Sequence, residues 1–337
     1  MPDGRPVPGS VWFYAPVHGA PTVFAVIFAV SAAVHLWQCI HYRCFRVTAY
    51  LPFCCTLFAA GFALREYGAF HYDHVYIYLA STLLIYGSPP ILELANYHIL
   101  GRTLYYIPYF SPIHPGRVLT TLGSLSAVVE VLNALGVAYL AIRTEDNKRY
   151  NLGHNLMRAS LALQLGVIIL FYALAAVFHH RCARSGVLHH RVRAVLVTLY
   201  ASMGLILART VYRAVEHFGL ERPPVGGAVD LMGFSPVLRY EWFFWVFEAA
   251  LMLVNAVMWN VRHPRRYLPQ SYKMYLAQDG KTELKGPGWG DKRKLVMTVL
   301  DPFGMLAMCE NGRRGELLGG NGYQHLLGQR RKGGEEV

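Results

Sequence analysis

Apolar residues in this chain fall in long unbroken blocks, not in alternation with polar ones. One run covers Pro21 to Ile40, and six more follow at about 47–64, 75–100, 118–142, 156–178, 194–215 and 242–261. Strands of a membrane barrel would alternate at every second residue, so continuous runs exclude that class. Roughly 20 apolar residues rising 1.5 Å each cross about 30 Å of hydrocarbon. In lipid the backbone must satisfy its own hydrogen bonds, and a helix does so within one segment. The pattern therefore predicts an all-α membrane protein, a seven-transmembrane-helix bundle. Pro89-Pro90 inside the third run predicts a kink or break there. The segment before the first run has no basic-then-apolar cleavage pattern, so the first run is expected to act as an uncleaved anchor.

Composition agrees with this reading. Of 337 residues 54% are hydrophobic and 15% charged, against about 25% charged in a soluble domain. The net charge of +12 could suit nucleic acid or an anionic membrane face, and its distribution selects the membrane. Lys and Arg concentrate in loops 41–46, 101–117 and 179–193 and beyond residue 261. Basic loops stay in the cytoplasm, so the N-terminus is expected outside and the C-terminus inside. The expected divisions are an extracellular segment 1–19, a membrane domain 20–266, and a disordered basic tail 267–337. Loop 179–193 and the tail would meet anionic inner-leaflet lipids. Leu295 to Cys309 is apolar but too short to span and could lie on that leaflet. The six cysteines show no CxxC spacing and read as packed or lipid-facing thiols, with palmitoylation of Cys44 or Cys182 as the alternative.

Ionisable groups inside the spans are the candidates for chemistry, because a charge at the bilayer centre costs about 2.5–3.5 kcal/mol on insertion scales. On the sixth span Arg209, Arg213 and Glu216 share one face, and on the seventh Glu241 and Glu248 are seven residues apart. These groups reach similar depths and are expected to form an interhelical clamp, a polar cavity for a charged head, or both. Glu93, Asn96 and Tyr97 share a face of the third span, and Glu130 and Asn133 one of the fourth. The two glutamates could form a proton or cation relay, or be neutral carboxyls bonded to Asn96 or Asn133. His179-His180 and His189-His190 lie among arginines in one loop and read as a headgroup-facing surface, not a metal site. GxSxG, HExxH and P-loop patterns are absent. The expectation is a non-enzyme without metal or cofactor that binds no nucleic acid.

Several of these residues together resemble a known family. They are Pro89…Tyr97-x-x-x-Gly101-Arg102, Asn133-x-x-Gly136, Gln164, Arg209-Thr-Val-Tyr212-Arg213-Ala-Val-Glu216, Glu241…Glu248 and His263-Pro264. The chain resembles the RTA-like fungal membrane proteins, the lipid-translocating exporter family, over about residues 20–266. Arg65-Glu66-Tyr67-Gly68 and Leu92 to Tyr97 resemble one branch of it. Asn133 and Ser126 depart from the Gln and Asp often found there.

The resemblance implies a seven-helix protein of the plasma membrane that moves or exports amphiphilic lipids or toxic amphiphiles, of sphingoid or sterol type, in stress or drug resistance. A cationic sphingoid amine would suit Glu93, Glu130 and Glu248. The alternative is a receptor-like sensor of membrane stress that transports nothing. A metal-dependent lipid hydrolase would need clustered His and Asp ligands, and the spans offer only His35 and His98.

Overall fold

The computed structural model describes residues 17–71, 74–141, 147–218, 237, 240–269, 271–277 and 282–286. The helices are α1 (Ala20–His41), α2 (Phe45–Thr48), α3 (Tyr50–Phe70), α4 (Val75–Tyr106), α5 (Pro115–Ala141), α6 (Asn147–Arg184) and α7 (His190–Phe218). The last rod is composite: α8 (Glu241–Phe244), a π-helical stretch Trp245–Ala250, then α9 (Leu251–Val261). Consecutive rods pack side by side, α1 also meets α9, and α4 touches α7 as well as α3 and α5. Among the described residues six helices are long and apolar enough to cross a membrane. α3 is long enough at 21 residues, but Arg65 and Glu66 near its end make it more polar. The outer surface carries exposed Val23, Val26, Val30, Leu83, Ile169 and Val254. A lipid-facing surface has this character and a water-facing one does not. The chain is an all-α integral membrane protein.

The interior is built on aromatic rings. Phe28 stacks on Phe58 at 4.6 Å, and Phe24 on Trp245 at 5.3 Å, so α1, α3 and the composite rod share one seam. Two glycines set the closest helix contacts. A Cβ on Gly61 would stand 2.8 Å from Ile85 Cγ1 and 3.2 Å from the Ile85 nitrogen, so α3 lies directly on α4. A Cβ on Gly136 would stand 2.6 Å from Met157 Cγ and 3.1 Å from the Gly153 oxygen, so α5 lies on α6 in the same way. Small residues permit such approaches in membranes.

Three features differ from the sequence reading. α4 remains helical through Pro89 and Pro90, so the expected break is absent. Ser88 Oγ donates to the Leu84 oxygen at 2.6 Å and Cys54 Sγ to the Ser88 oxygen at 3.2 Å. Side-chain donors and the neighbouring α3 hold this turn, as membrane helices allow. Cys182 lies inside α6 and is fully buried, not in a loop, which removes it as a modification site.

The third difference concerns residues beyond 267, which carry structure where disorder was expected. β1 (Met274–Leu276) pairs antiparallel with β2 (Glu283–Lys285). Arg102 at the end of α4 donates to the Ser271 oxygen at 3.0 Å and the Met274 oxygen at 3.1 Å, and Tyr106 donates to Glu283 at 2.9 Å. Strands of three residues are too short to leave a readable alternation. The remaining tail, including the basic clusters at 292–294 and 330–332 and the run 295–309, lies outside the described residues, as do residues 1–16.

Gly61→Ala is expected to destabilise the bundle by about 1–3 kcal/mol, since it drives a methyl into a packed helix. Gly87 on α4 has open space around its Cα, so Gly87→Ala should be neutral or slightly stabilising. Thermal unfolding of both variants in lipid nanodiscs checks the contrast.

Candidate functional site

A cavity of about 300 Å³ opens among α3 to α8, toward the end of the bundle where α1 begins. Its charged lining is Arg65, Glu93, Glu130, Arg209, Arg213 and Glu216. Each guanidinium is already committed. Arg209 Nε donates to Glu248 Oε1 at 2.6 Å, Arg65 Nη2 to Glu241 Oε1 at 2.8 Å, and Arg213 pairs with Glu216 one turn on. Rings shield two of these cations from lipid. Arg213 lies 4.1 Å over Tyr86, and Arg65 lies 4.2 Å over Phe244.

The composite rod supplies two of the three carboxylates. Glu248 lies in its π-helical stretch and is completely buried. A π turn adds a residue to the local repeat and so turns the following side chains about the axis, a device common at functional sites. Glu241 joins more than α3: its Oε2 accepts from the Val17 nitrogen at 2.9 Å. Glu66 on α3 accepts from the Gly19 nitrogen at 3.0 Å, a carboxylate at the positive end of α1.

Two carboxylates remain without a cation. Glu93 is 1% exposed and accepts from Tyr97 Oη at 3.0 Å and from Gln164 Nε2 at 2.5 Å. Glu130 is partly buried in the same wall, and no ion pair reaches it among the described residues. The cavity is thus bordered by three Arg–Glu pairs and by two carboxyl groups outside any ion pair among the described residues.

The sequence-predicted residues divide into three groups. Glu93, Glu130, Asn133, Gln164, Arg209, Arg213 and Glu216 line the cavity. Glu241, Glu248 and Tyr97 stand behind its wall, each bonded to a lining residue. Asn96 and Tyr212 are elsewhere. Asn96 faces α7, where Ser202 Oγ meets Asn96 Nδ2 at 2.8 Å, Asn255 Oδ1 at 2.7 Å and Trp259 Nε1 at 3.1 Å. Tyr212 stacks on Phe247 at 5.5 Å. Of the clamp expected between the sixth and seventh spans, the Arg209–Glu248 link forms. Arg213 turns to Glu216 on its own helix, and Glu241 goes to Arg65.

The polar pair Arg65-Glu66 ends the apolar run at 64, so hydropathy alone leaves Arg65 outside the second span. Helix α3 continues to Phe70 and carries it inside. Tyr86, Ser160, His217 and Phe244 also line the cavity without a signal in the sequence. Among the described residues no three His, Cys, Asp or Glu side chains group as a metal site.

Removing one partner of a buried pair leaves a charge uncompensated, at a cost of about 3–5 kcal/mol, whereas replacing both by apolar groups is often neutral. Arg209→Met and Glu248→Leu are each expected to lower the melting temperature sharply, and the double variant to recover most of the loss. A thermal double-mutant cycle in nanodiscs measures this.

Comparison with known proteins follows the same residues. Residues 51–271 match the family model described as RTA1 like protein. A protein of Leptosphaeria maculans, named lipid-translocating exporter-like protein RTA1, is 43% identical over 89% of this chain. The chain spans 60% of that relative's length. A protein of Ajellomyces capsulatus bearing the same name is 30% identical over 71% of the chain and 75% of its own length. Protein RTA1 of Saccharomyces cerevisiae is 24% identical over 76% of the chain and 85% of its own length. No solved structure matches the chain.

Proposed function

The chain belongs to the RTA1-like family, and on that footing we propose that it translocates amphiphilic lipids across the membrane, taking a cationic head through the cavity between α3 and α8. The observation that carries this reading is the pair of carboxyl groups, Glu93 and Glu130, that face the cavity with no cation of their own. An amine head of sphingoid type would supply that charge. The cavity provides it with Asn133 and Gln164 as neutral hydrogen-bonding groups, and the hydrocarbon tail stays in lipid between helices. A head held by carboxylates escapes the several-kcal/mol penalty of a bare charge in hydrocarbon. The names of relatives support the coarse class: two are called lipid-translocating exporter-like proteins.

In this reading the cavity opens to the outside and the hairpin end faces the cytoplasm, as the basic loops suggest. Arg181, Arg184, Arg191 and Arg193 are exposed at the hairpin end and would rest on anionic headgroups. Placement in the plasma membrane and a role in resistance to toxic amphiphiles belong to the same proposal, as does action by transport without catalysis.

The test is transfer of a fluorescent sphingoid base in proteoliposomes. Flux should exceed that of empty liposomes, and Glu93→Gln or Glu130→Gln should lower it at least tenfold while the protein remains folded. Flux that survives both substitutions would remove these carboxyls from the path. Saturable binding of the base without any flux would favour the sensor reading.

A further inference from the structure

Away from the cavity, toward the hairpin end, α1 and α9 share a second polar seam made by Ser31, His35 and Gln38 against Ala256 and Asn260. His35 Nε2 lies 3.2 Å from the Ala256 oxygen. A carbonyl can only accept, so this nitrogen carries the hydrogen and Nδ1 presents a lone pair. Gln38 Nε2 donates to the Asn260 oxygen at 2.8 Å. That bond fixes the amide, because a flip would set oxygen against oxygen. Asn260 Nδ2 in turn donates to Ser31 Oγ at 2.6 Å.

One N–H of each of these three side chains is therefore bonded to a protein oxygen. Three buried atoms have no hydrogen-bond partner: His35 Nδ1, Gln38 Oε1 and Asn260 Oδ1. The first two are acceptors, fixed as such by the bonds their partner nitrogens make to backbone carbonyls. His35 and Gln38 are 1% and 3% exposed and stand three residues apart on one helix face, so their lone pairs occupy neighbouring positions. A buried acceptor left unmet destabilises the fold.

We propose that this α1–α9 seam is a binding site for a monovalent cation, the proton included. A proton on His35 Nδ1 turns an acceptor into a donor aimed at Gln38 Oε1 and satisfies both atoms in one step. An alkali ion would take the same lone pairs as ligands. Other titratable groups near the seam are the Cys39 thiol on α1, the Cys55 thiol of α3 beside Ser31 at 3.7 Å, and His263 with Cys44 beyond the end of α9. None of these is a carboxylate, so the cation meets dipoles alone and is held weakly enough to exchange. As a binding site the seam stands by itself. As the site of an ion coupled to lipid movement it rests on the translocation reading.

The test uses the full-length protein in nanodiscs and reads melting temperature without any lipid cargo. In one arm, potassium or sodium chloride replaces N-methylglucamine chloride at constant ionic strength. In the other, pH falls from about 8 to about 4, through and below the range in which a free imidazole titrates. A cation that binds the folded state raises its melting temperature saturably. We expect such a rise of several degrees in at least one arm, the arm distinguishing alkali ion from proton, and its loss in both His35→Leu and Gln38→Leu. Should those variants fail to fold, nitrogen NMR of the imidazole reads the parent directly, as a shift of His35 Nδ1 on acidification or on adding the alkali ion. No rise in either arm, or a rise that persists in both variants, overturns the proposal and leaves a seam filled by water. Because no cargo is present, that result leaves the translocation reading intact.

Discussion

A guanidinium cannot remain in hydrocarbon without a counter-charge, and this chain places three of them inside one helical bundle. Much of the architecture follows from meeting that demand. Arg209 on α7 needs Glu248, and Arg65 on α3 needs Glu241, so both helices are drawn to the composite rod. The π-helical stretch lies where Glu248 must be aimed at Arg209. A regular helix would present residue 248 about 100° away from where one inserted residue puts it. Rings of Phe244 and Tyr86 then cover the cations. The cavity is what remains between helices held apart by these bulky polar pairs.

The helices were legible in the sequence because a membrane demands long apolar runs, and such runs survive any detail of packing. The Arg209–Glu248 link was legible too, since both lie deep in their spans at matching depth. Arg65 was misplaced for a physical reason: hydropathy measures the cost of exposure to lipid, and a residue paired inside a bundle does not pay it. Tyr212 and Asn96 show a different limit. Helical periodicity placed them on plausible faces, but which neighbour each face meets depends on rotation set by partners such as Gly61 and Ser202. The hairpin beyond 267 was invisible because its order comes from Arg102, Tyr105 and Tyr106 on α4, some 170 residues earlier in the chain.

The two ends of the bundle are built differently. At the end where α1 begins, charge pairs surround open volume. At the hairpin end, neutral polar groups knit the helices: Ser202 at the centre of Asn96, Asn255 and Trp259, and His35 and Gln38 of α1 bonded to Ala256 and Asn260 of α9. Neutral hydrogen bonds each contribute about 0.5–1.5 kcal/mol, and buried pairs lose several when one partner is removed.

The same difference separates the helices. Ion pairs tie the composite rod to α3 and α7, whereas Arg213–Glu216 stays within one helix and reaches α4 only through the Tyr86 ring. α5 and α6 meet the rest through polar links that include Gln164 to Glu93, Tyr97 to Ser126, Tyr172 to the Tyr200 oxygen, and the Arg158 guanidinium 5.6 Å over the Phe218 ring. They hold each other closely at Gly136. Two of those bonds involve the Glu93–Tyr97 pair, and one reaches the carboxyl of Glu93 itself. In the translocation reading proposed above, a cation arriving at Glu93 would compete with Gln164 for the same carboxyl group, and occupancy of the cavity would be linked to α6 through that side chain.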